Sequence, residues 1–504
     1  MTRLGFLLDS DSCIGCHACT VACKSEHDVP LGVNRTWVKY VETGTFPNTA
    51  RHFSVMRCNQ CADAPCMTIC PTSALFRADN GVVDFDTGNC IGCKACMNAC
   101  PYDAIFINPE TNTANKCNFC NHRVEVGLEP SCVIVCPTQA IVVADLDDPT
   151  NPATRIIARD DVAVRSPEQN TKPAVFYRGA DQSSLDPTRT IIRPDGMIWA
   201  DTTARHPTVD AADAGVVART AYTTPHESTW GTKVAGYLVT KAVAGGTMML
   251  AALLVLLGHA EVRGVVGIIP PLVSALFLVA TAVLLVADLK QPARFHYLFT
   301  RPNWSSWLVK GSWVLVAFGA VLTAWFVAAL AGNEATLEGL ALPAALLGAF
   351  TAGYSAFLFA QCEGRDLWQT PLLLPLFVAR AAVAGAAAFL VVDVFAEVPS
   401  AEAVRWVLLG AAAAVAFFSL VEVGAHGSRH VELAVRSLTR GPEASLFWGG
   451  LGFGAALPIV VVGVDRAVDA TTPMWGALAA VSAIVGMFLS ELAMLRAGQS
   501  VPLS

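Results

Sequence analysis

The stretch Asn89–Pro101, NCIGCKACMNACP, carries the first decision about the fold. Cys90, Cys93, Cys96 and Cys100 read C-x2-C-x2-C-x3-C. Three thiolates on a tight loop can cap three corners of an iron–sulfur cubane. The fourth, displaced onto a following helix, faces a neighbouring cluster, as in the bacterial two-cluster ferredoxin run. The same run recurs at Cys13, Cys16, Cys19 and Cys23 in CIGCHACTVAC. Two looser quartets accompany them: Cys58, Cys61, Cys66 and Cys70, then Cys117, Cys120, Cys132 and Cys136. Proline after Cys70, Cys100 and Cys136 suits the turn that leaves each site. Zinc ribbons also use paired C-x2-C, but they do not need three cysteines in seven residues followed by a fourth.

The rest of the chain has a different character. It has 504 residues, 54% hydrophobic and 15% charged, with a mean hydropathy of +0.48. That is too apolar for an ordinary soluble protein and implies several membrane spans. The net charge of −7 argues against a nucleic-acid partner. Of the 17 cysteines only Cys362 lies beyond residue 136, and the apolar runs start after about residue 230. The opening MTRLGFLLDSDSC shows neither a basic region with a long apolar core nor a twin-arginine pair, so no cleaved signal peptide is expected. Dense cysteines without a signal favour metal over disulfides.

Residues 1–180, carrying these quartets and the segment KPAVFYRG (Lys172–Gly179), resemble the four-cluster ferredoxin subunit of complex iron–sulfur molybdoenzymes. The resemblance implies cross-ligation. Cys13, Cys16 and Cys19 would share a cluster with Cys136, and Cys117, Cys120 and Cys132 with Cys23. Cys58, Cys61 and Cys66 would share one with Cys100, and Cys90, Cys93 and Cys96 with Cys70. All sixteen positions are cysteine, so four 4Fe–4S clusters are expected. GVVDFD (Gly81–Asp86) and AIVVAD (Ala140–Asp145) read as short strands near the quartets. Residues 181–229 are polar and turn-rich and read as a linker whose TIIRPDGMIW is apolar enough to dock on the ferredoxin surface.

Eight apolar stretches follow, at about 233–258, 264–287, 307–331, 337–361, 371–396, 402–425, 446–465 and 474–496. Most hold the roughly 20 residues that a bilayer core requires. GGLGFG (Gly449–Gly454) lies inside one and reads as a packing surface rather than a nucleotide loop. An even span count puts the ferredoxin domain and residue 504 on one side. Loops on that side carry Lys290, Arg294, Arg301, Arg365, Arg429, Arg436, Arg440 and Arg496, against Arg263, Arg405 and Arg466 opposite, which predicts a cytoplasmic ferredoxin domain.

His226, His259, His296, His426 and His430 all fall at span ends or in loops, so no haem is expected. Residues 225–504 resemble the NrfD/polysulfide-reductase-type membrane anchor. The matching pieces are STWGTKVAGYLVTKAVAGG (Ser228–Gly246), DLKQPARFHYLFTRPNWSSW (Asp288–Trp307), AGYSAFLFAQCEGRDLWQTPLLLPLF (Ala352–Phe377) and the final RAGQSVPLS. The resemblance implies a haem-free eight-helix bundle that exchanges electrons with a quinone near the ferredoxin side. A quinone needs an apolar slot, hydrogen-bond donors at its carbonyls and a proton route. The candidates are His226, Glu227, Trp230, Tyr237, Asp288, Arg294 and Tyr354. Two bland readings stand beside them: Asp288 and Arg294 as a structural ion pair, and Tyr237, Tyr354 and Trp230 as an interfacial aromatic belt. Lys241, Arg380, Asp393, Glu422 and Glu491 fall within spans, where charges pair or face a polar interior. They read either as a proton route to the quinone or as a salt-bridge network. Cys362 reads as an inert thiol.

The expected fold is therefore an α+β double-ferredoxin domain with four clusters, followed by an all-α eight-helix transmembrane bundle from residue 230. The expected role is an electron-transfer and quinone-reactive subunit whose separate molybdopterin partner performs the substrate chemistry. A proton-translocating module, and the same wire serving a hydrogenase or multihaem cytochrome, are the alternatives. The expected place is the cytoplasmic membrane, as a multi-pass protein in contact with lipid.

Overall fold

A computed structural model describes residues 3–192, 218–225, 227–259, 264–398, 400–425, 427–467 and 472–504. In the N-terminal region, β1 (Leu4–Asp9) pairs in parallel with β10 (Val175–Arg178) and antiparallel with β8 (Ile141–Asp145), with β9 (Val162–Ala163) on the edge. The first and last strands of this sheet thus lie side by side and close the domain. Phe6, Leu7 and Leu8 are all buried, so β1 is covered on both faces. Phe6 stacks on Phe119 at 4.0 Å, which pins the Cys117–Cys120 loop to this sheet.

A second sheet is built on the ribbon of β2 (Thr36–Thr45) and β3 (Asn48–Arg57), which projects until Phe46 at its tip is 92% exposed. Both ends of the polar segment 181–229 are woven into it. β12 (Ala218–Tyr222) pairs with β2, and β11 (Ile191–Ile192) with β12. A helical turn at Gln182–Leu185 packs against the ribbon through Ser184, whose hydroxyl meets that of Ser54 at 2.7 Å. The polar sequence hid this because its backbone groups, rather than apolar side chains, make the attachment. The remaining strands form two hairpins, β4 (Leu75–Arg77) with β5 (Val83–Phe85) and β6 (Ile105–Ile107) with β7 (Ala114–Lys116). The expected strands at 81–86 and 140–145 appear as β5 and β8.

Among the described residues eight helices are long and apolar enough to cross a membrane: Thr232–Leu256, Val265–Asp288, Trp307–Leu330, Glu334–Ala360, Leu373–Val392, Ala401–Gly424, Ala444–Arg466 and Pro473–Ser500. They are called spans one to eight below. Span one is the central post and packs against spans two, four, five and eight. Spans two, three, six and seven expose Leu, Val and Phe outward, as lipid contact requires. Span seven contains one π-helical turn, Gly452–Ala456. There Gly454 lies so close to Gly486 of span eight that a Cβ on either would meet the other's backbone, which is the close approach that small residues permit. An amphipathic helix that the apolar runs did not reveal, Arg429–Thr439, links spans six and seven and begins at a Ser428 cap.

Span eight runs past the expected end at 496 and ends against the ferredoxin domain. Gln499 Oε1 accepts from the Thr229 and Trp230 backbone N–H groups at 2.8 and 2.9 Å. Arg165 of the ferredoxin domain donates to the Leu503 carbonyl at 2.6 Å. One hydrophobic core joins Cys66, Ile69 and Cys96 on the ferredoxin side to Trp230, Phe359 and Trp368 on the membrane side. The two halves therefore share a core rather than meeting across a wet interface.

Candidate functional site

The two tight runs fold alike because both use C-x-G-C followed by one left-handed residue. Gly15 and His17 have φ of 71° and 61°, and Gly92 and Lys94 have 68° and 64°. Glycine suits the first of these positions, since a Cβ on Gly92 would strike Lys290 and one on Gly15 would strike Phe53. Helices at Ala18–Glu26 and Ala95–Ala99 then carry the third cysteine and point the chain toward the fourth.

The sixteen thiols gather in four groups. Cys13 neighbours Cys16, Cys136 and Cys19. Cys23 lies with Cys117, Cys120 and Cys132. Cys100 lies with Cys58, Cys61 and Cys66. Cys70 lies with Cys90, Cys93 and Cys96. Burial, and then the neighbouring thiols, push Cys93 up to about 12 and Cys120 up to about 11. Burial raises Cys66 and Cys96 well above the ordinary thiol range. Such thiols stay protonated in the bare chain and become thiolates when metal takes their protons. Cys70, Cys90, Cys93 and Cys96 line a hollow with Leu75 and Phe85. An all-thiol donor set around an apolar hollow fits an iron–sulfur cubane.

The groups form a line. Cys19 of the first neighbours Cys132 of the second. Gln60 Nε2, beside the third, donates to the Cys117 carbonyl of the second at 3.1 Å. Cys96 of the fourth neighbours Cys66 of the third. At the outer end Cys16 is exposed, and so are Ile14, Val21 and Ile134 in the segments that carry the cysteines of the two outer groups. Polar groups that spacing alone did not reveal attend the sulfurs. His27 Nε2 lies 3.1 Å from Cys120 Sγ, and Arg57 donates to Cys132 Sγ at 3.4 Å. Burial, then Arg35 and His122, bring His27 down to about 4, so its imidazole is neutral at physiological pH. Cations and N–H donors at sulfur are among the features that set a cluster's potential.

The inner group is wrapped by the loop between spans two and three. Lys290 and Gln291 donate backbone N–H groups to the carbonyls of Gly92 and Ile91 at 3.1 Å each. Arg294 donates to the carbonyls of Thr87 and Cys90 at 2.7 and 2.9 Å. Asn303 reaches the Cys70 carbonyl at 2.7 Å and Ser306 that of Ile69 at 2.7 Å. Loops carrying cysteine ligands leave carbonyls without ladder partners, and each buried one needs a donor. Asp288 does not pair with Arg294. It takes Lys94 at 2.8 Å instead.

Beneath this loop Trp230 Nε1 donates to the Cys93 carbonyl at 3.3 Å, and its ring stacks on Trp368 at 5.7 Å. Deeper, Tyr237 and Tyr354 turn into the bundle, each 4% exposed, and so do not form an interfacial belt. They flank Lys241, whose ammonium lies 4.3 Å from the Tyr354 ring centre and hydrogen-bonds Ser355. Tyr237 also stands near Asp288. The structure thus brings Tyr237, Tyr354 and Asp288 together, leaves Glu227 exposed, and commits Arg294 to the interdomain loop. His226 and His426 lie outside the described residues. His430 faces Asp366 at 3.7 Å. Cys362 is fully buried.

The polysulphide reductase NrfD family model matches residues 221–502. The chain belongs to the NrfD family. A 4Fe-4S dicluster domain matches residues 49–146 ahead of the NrfD part. The N-terminal half is similar to iron–sulfur subunits of reductases. It is 41% identical over 203 residues to a tetrathionate reductase subunit of Salmonella typhimurium, covering 40% of this chain and 80% of that one. It is 46% identical over 145 residues to the thiosulfate reductase electron transfer subunit PhsB of Salmonella typhi, covering 28% and 76%. It is 33% identical over 225 residues to the arsenate respiratory reductase iron–sulfur subunit ArrB of a Shewanella species, covering 35% and 95%. This NrfD protein is therefore an iron–sulfur electron-transfer subunit fused to a multi-pass membrane anchor.

Proposed function

We propose that this NrfD protein carries electrons between a separate molybdopterin-bearing catalytic subunit and a membrane quinone. The single observation behind the reading is the line of four cysteine groups, which begins at exposed Cys16 and ends against Trp230 of the anchor. Four 4Fe–4S clusters bound there supply one-electron carriers. Cys13, Cys16, Cys19 and Cys136 would hold the outermost, followed by Cys23 with Cys117, Cys120 and Cys132. Cys58, Cys61, Cys66 and Cys100 would hold the third, and Cys70, Cys90, Cys93 and Cys96 the innermost. The exposed apolar side chains of these outer segments suit a partner surface. The relatives are named as subunits of tetrathionate, thiosulfate and arsenate reductases, which supports a catalytic partner.

At the inner end the quinone is assigned to Tyr237, Tyr354 and Asp288, with Lys241 as the nearest buried cation. Tyr hydroxyls donate to a quinone carbonyl, and the aromatic walls accept its ring. His226 and Arg294 complete the candidate set by sequence; Arg294 is held by the Thr87 and Cys90 carbonyls of the adjoining loop. The anchor is read as haem-free, which the placement of His259, His296 and His430 at span ends and loops supports. The reading divides the chain at about residues 180 and 230, and sets the ferredoxin domain on the cytoplasmic side. Reporter fusions at residue 504 and in the loop between spans five and six test the side.

The decisive experiment adds a short-tail naphthoquinol to the cluster-loaded full chain and follows cluster reduction by electron paramagnetic resonance. Reduction that Tyr354→Phe slows supports the reading. A chain whose clusters exchange with dithionite but not with quinol overturns it.

A further inference from the structure

Four ionisable side chains form one layer inside the bundle that the electron route does not use. Arg380 of span five and Glu491 of span eight pair at 2.8 Å with side chains 5% and 2% exposed. Lys241 of span one neighbours Glu491, and Glu422 of span six neighbours both Arg380 and Glu491. At 1.5 Å per residue, Lys241, Arg380 and Glu491 lie about 10–14 Å inside the ferredoxin-side ends of their helices, and Glu422 about 3 Å inside. The layer is incompletely satisfied. Glu491 Oε2, Arg380 Nε and Glu422 Oε1 are buried without a hydrogen-bond partner among the described residues.

A network built only to hold helices together would be expected to satisfy its atoms, because each buried unpaired one is costly. Ionisable side chains within membrane spans pair with one another and mark ion and proton pathways. One end of the layer reaches the region assigned to the quinone, since Lys241 contacts Ser355 and faces Tyr354 and Tyr237. The other end is Glu422, half-buried near the ferredoxin-side end of span six. Toward the far side spans one, five and eight carry no charge, and span six carries only Glu402 and Arg405 at its far end, where Arg405 faces Asp465 of span seven at 3.9 Å. Residues 242–256, 381–392 and 473–490 hold none, and in span six none stands between Arg405 and Glu422, about 25 Å apart.

We propose that Glu422, Arg380, Glu491 and Lys241 are the proton route of the quinone site, and that the route opens on the ferredoxin side only. The inference rests on the quinone reading above. Reducing a quinone to a quinol takes two electrons from the wire and two protons. The protons enter at Glu422 and reach the quinone past Glu491 and Lys241; quinol oxidation returns them along the same groups. Both electrons and protons then arrive from one side, so this bundle half moves no net charge across the membrane.

The test uses the full cluster-loaded chain in phosphatidylethanolamine/phosphatidylglycerol vesicles with the ferredoxin domain outward. Clusters are reduced with stoichiometric dithionite and reoxidised with a short-tail naphthoquinone, with one pH dye outside and another trapped in the lumen. The expected results are proton uptake from outside, a reoxidation rate lowered about tenfold or more in Glu422→Gln, near-normal rates in Glu422→Asp, and rescue of Glu422→Gln by acetate. Uptake from the lumen overturns the proposal. So does a Glu422→Gln rate equal to wild type, or a slow rate that acetate leaves untouched. A wild-type chain that naphthoquinone fails to oxidise overturns the quinone reading itself, a result distinct from the others.

Discussion

Lys94 and Asp288 meet at 2.8 Å across the boundary between the two halves of the molecule. Lys94 follows Cys93 in the innermost cysteine loop, and Asp288 ends span two beside Tyr237. This ion pair thus joins the innermost cysteine loop to the region proposed for the quinone. Both side chains are mostly buried, at 8% and 17% exposure, so each charge is felt by its surroundings more strongly than a solvated one.

Removing either partner should move the innermost cluster's potential, in opposite directions. Lys94→Met leaves the Asp288 carboxylate uncompensated, disfavours the reduced cluster and lowers its potential. Asp288→Asn leaves the ammonium and raises it. A unit charge at roughly 10 Å and an effective dielectric of about 20 is worth about 1.7 kcal/mol, or on the order of 70 mV for one electron. Redox titration followed by electron paramagnetic resonance reads both shifts. Shifts of the same sign would remove the pair from any electrostatic role.

Cys100→Ser should damage the cluster of Cys58, Cys61 and Cys66 and spare that of Cys90, Cys93 and Cys96, although Cys100 belongs in sequence to the latter run. Cys70→Ser should do the reverse. Iron content and the signal of a three-iron cluster report which site has changed, since loss of one of four thiolates exposes one corner of the cubane.

Gly311 of span three lies flat against the Tyr354 ring, and a Cβ there would overlap it. Gly311→Ala should therefore displace Tyr354 at an overpacking cost of about 1–3 kcal/mol. The expected result is quinol-driven cluster reduction slowed severalfold, with iron content and dithionite reduction unchanged. An unaltered quinol rate would show that the placement of Tyr354 does not matter to the reaction.

Lys39 is fully buried in β2, and its ammonium has no hydrogen-bond partner among the described residues. Burial, then Arg165, bring it down to about 7, with Asp186 opposing. Unfolded, it titrates near pH 10.4. Below pH 7 both states hold the proton and the burial cost is fully present. From about 7 to 10.4 the unfolded chain binds a proton that the folded chain lacks, so this site's contribution to stability rises with pH. Lys39→Met should raise the thermal midpoint of cluster loss at pH 7, and the advantage should shrink toward about pH 9. A gap independent of pH would overturn the assignment.

Cysteine spacing was enough to mark four quartets, because in three of them three cysteines lie within one short loop whose geometry is local; in the fourth, Cys132 stands twelve residues beyond Cys120. Continuous apolar length was likewise enough for eight spans, each matching the observed helix within a few residues at most ends. Both signals are carried by neighbours in the chain. The apolar runs missed the Arg429–Thr439 helix, whose polar and apolar faces average out in such a reading. The polar segment before span one was also only half legible, since β11 and β12 attach through backbone hydrogen bonds that composition does not register. Charge pairing was legible only in part: depth along the spans puts Arg380 and Lys241 within reach of Glu491 and Glu422, but it does not choose the partners. Asp288 and Arg294, six residues apart, invite one another by sequence, yet Asp288 takes Lys94 and Arg294 takes two carbonyls. Arg380 and Glu491 find each other across 111 residues. Partner choice among charges depends on which helices pack together and which carbonyls a cysteine loop leaves unpaired. Those are properties of the assembled molecule, and no local pattern contains them.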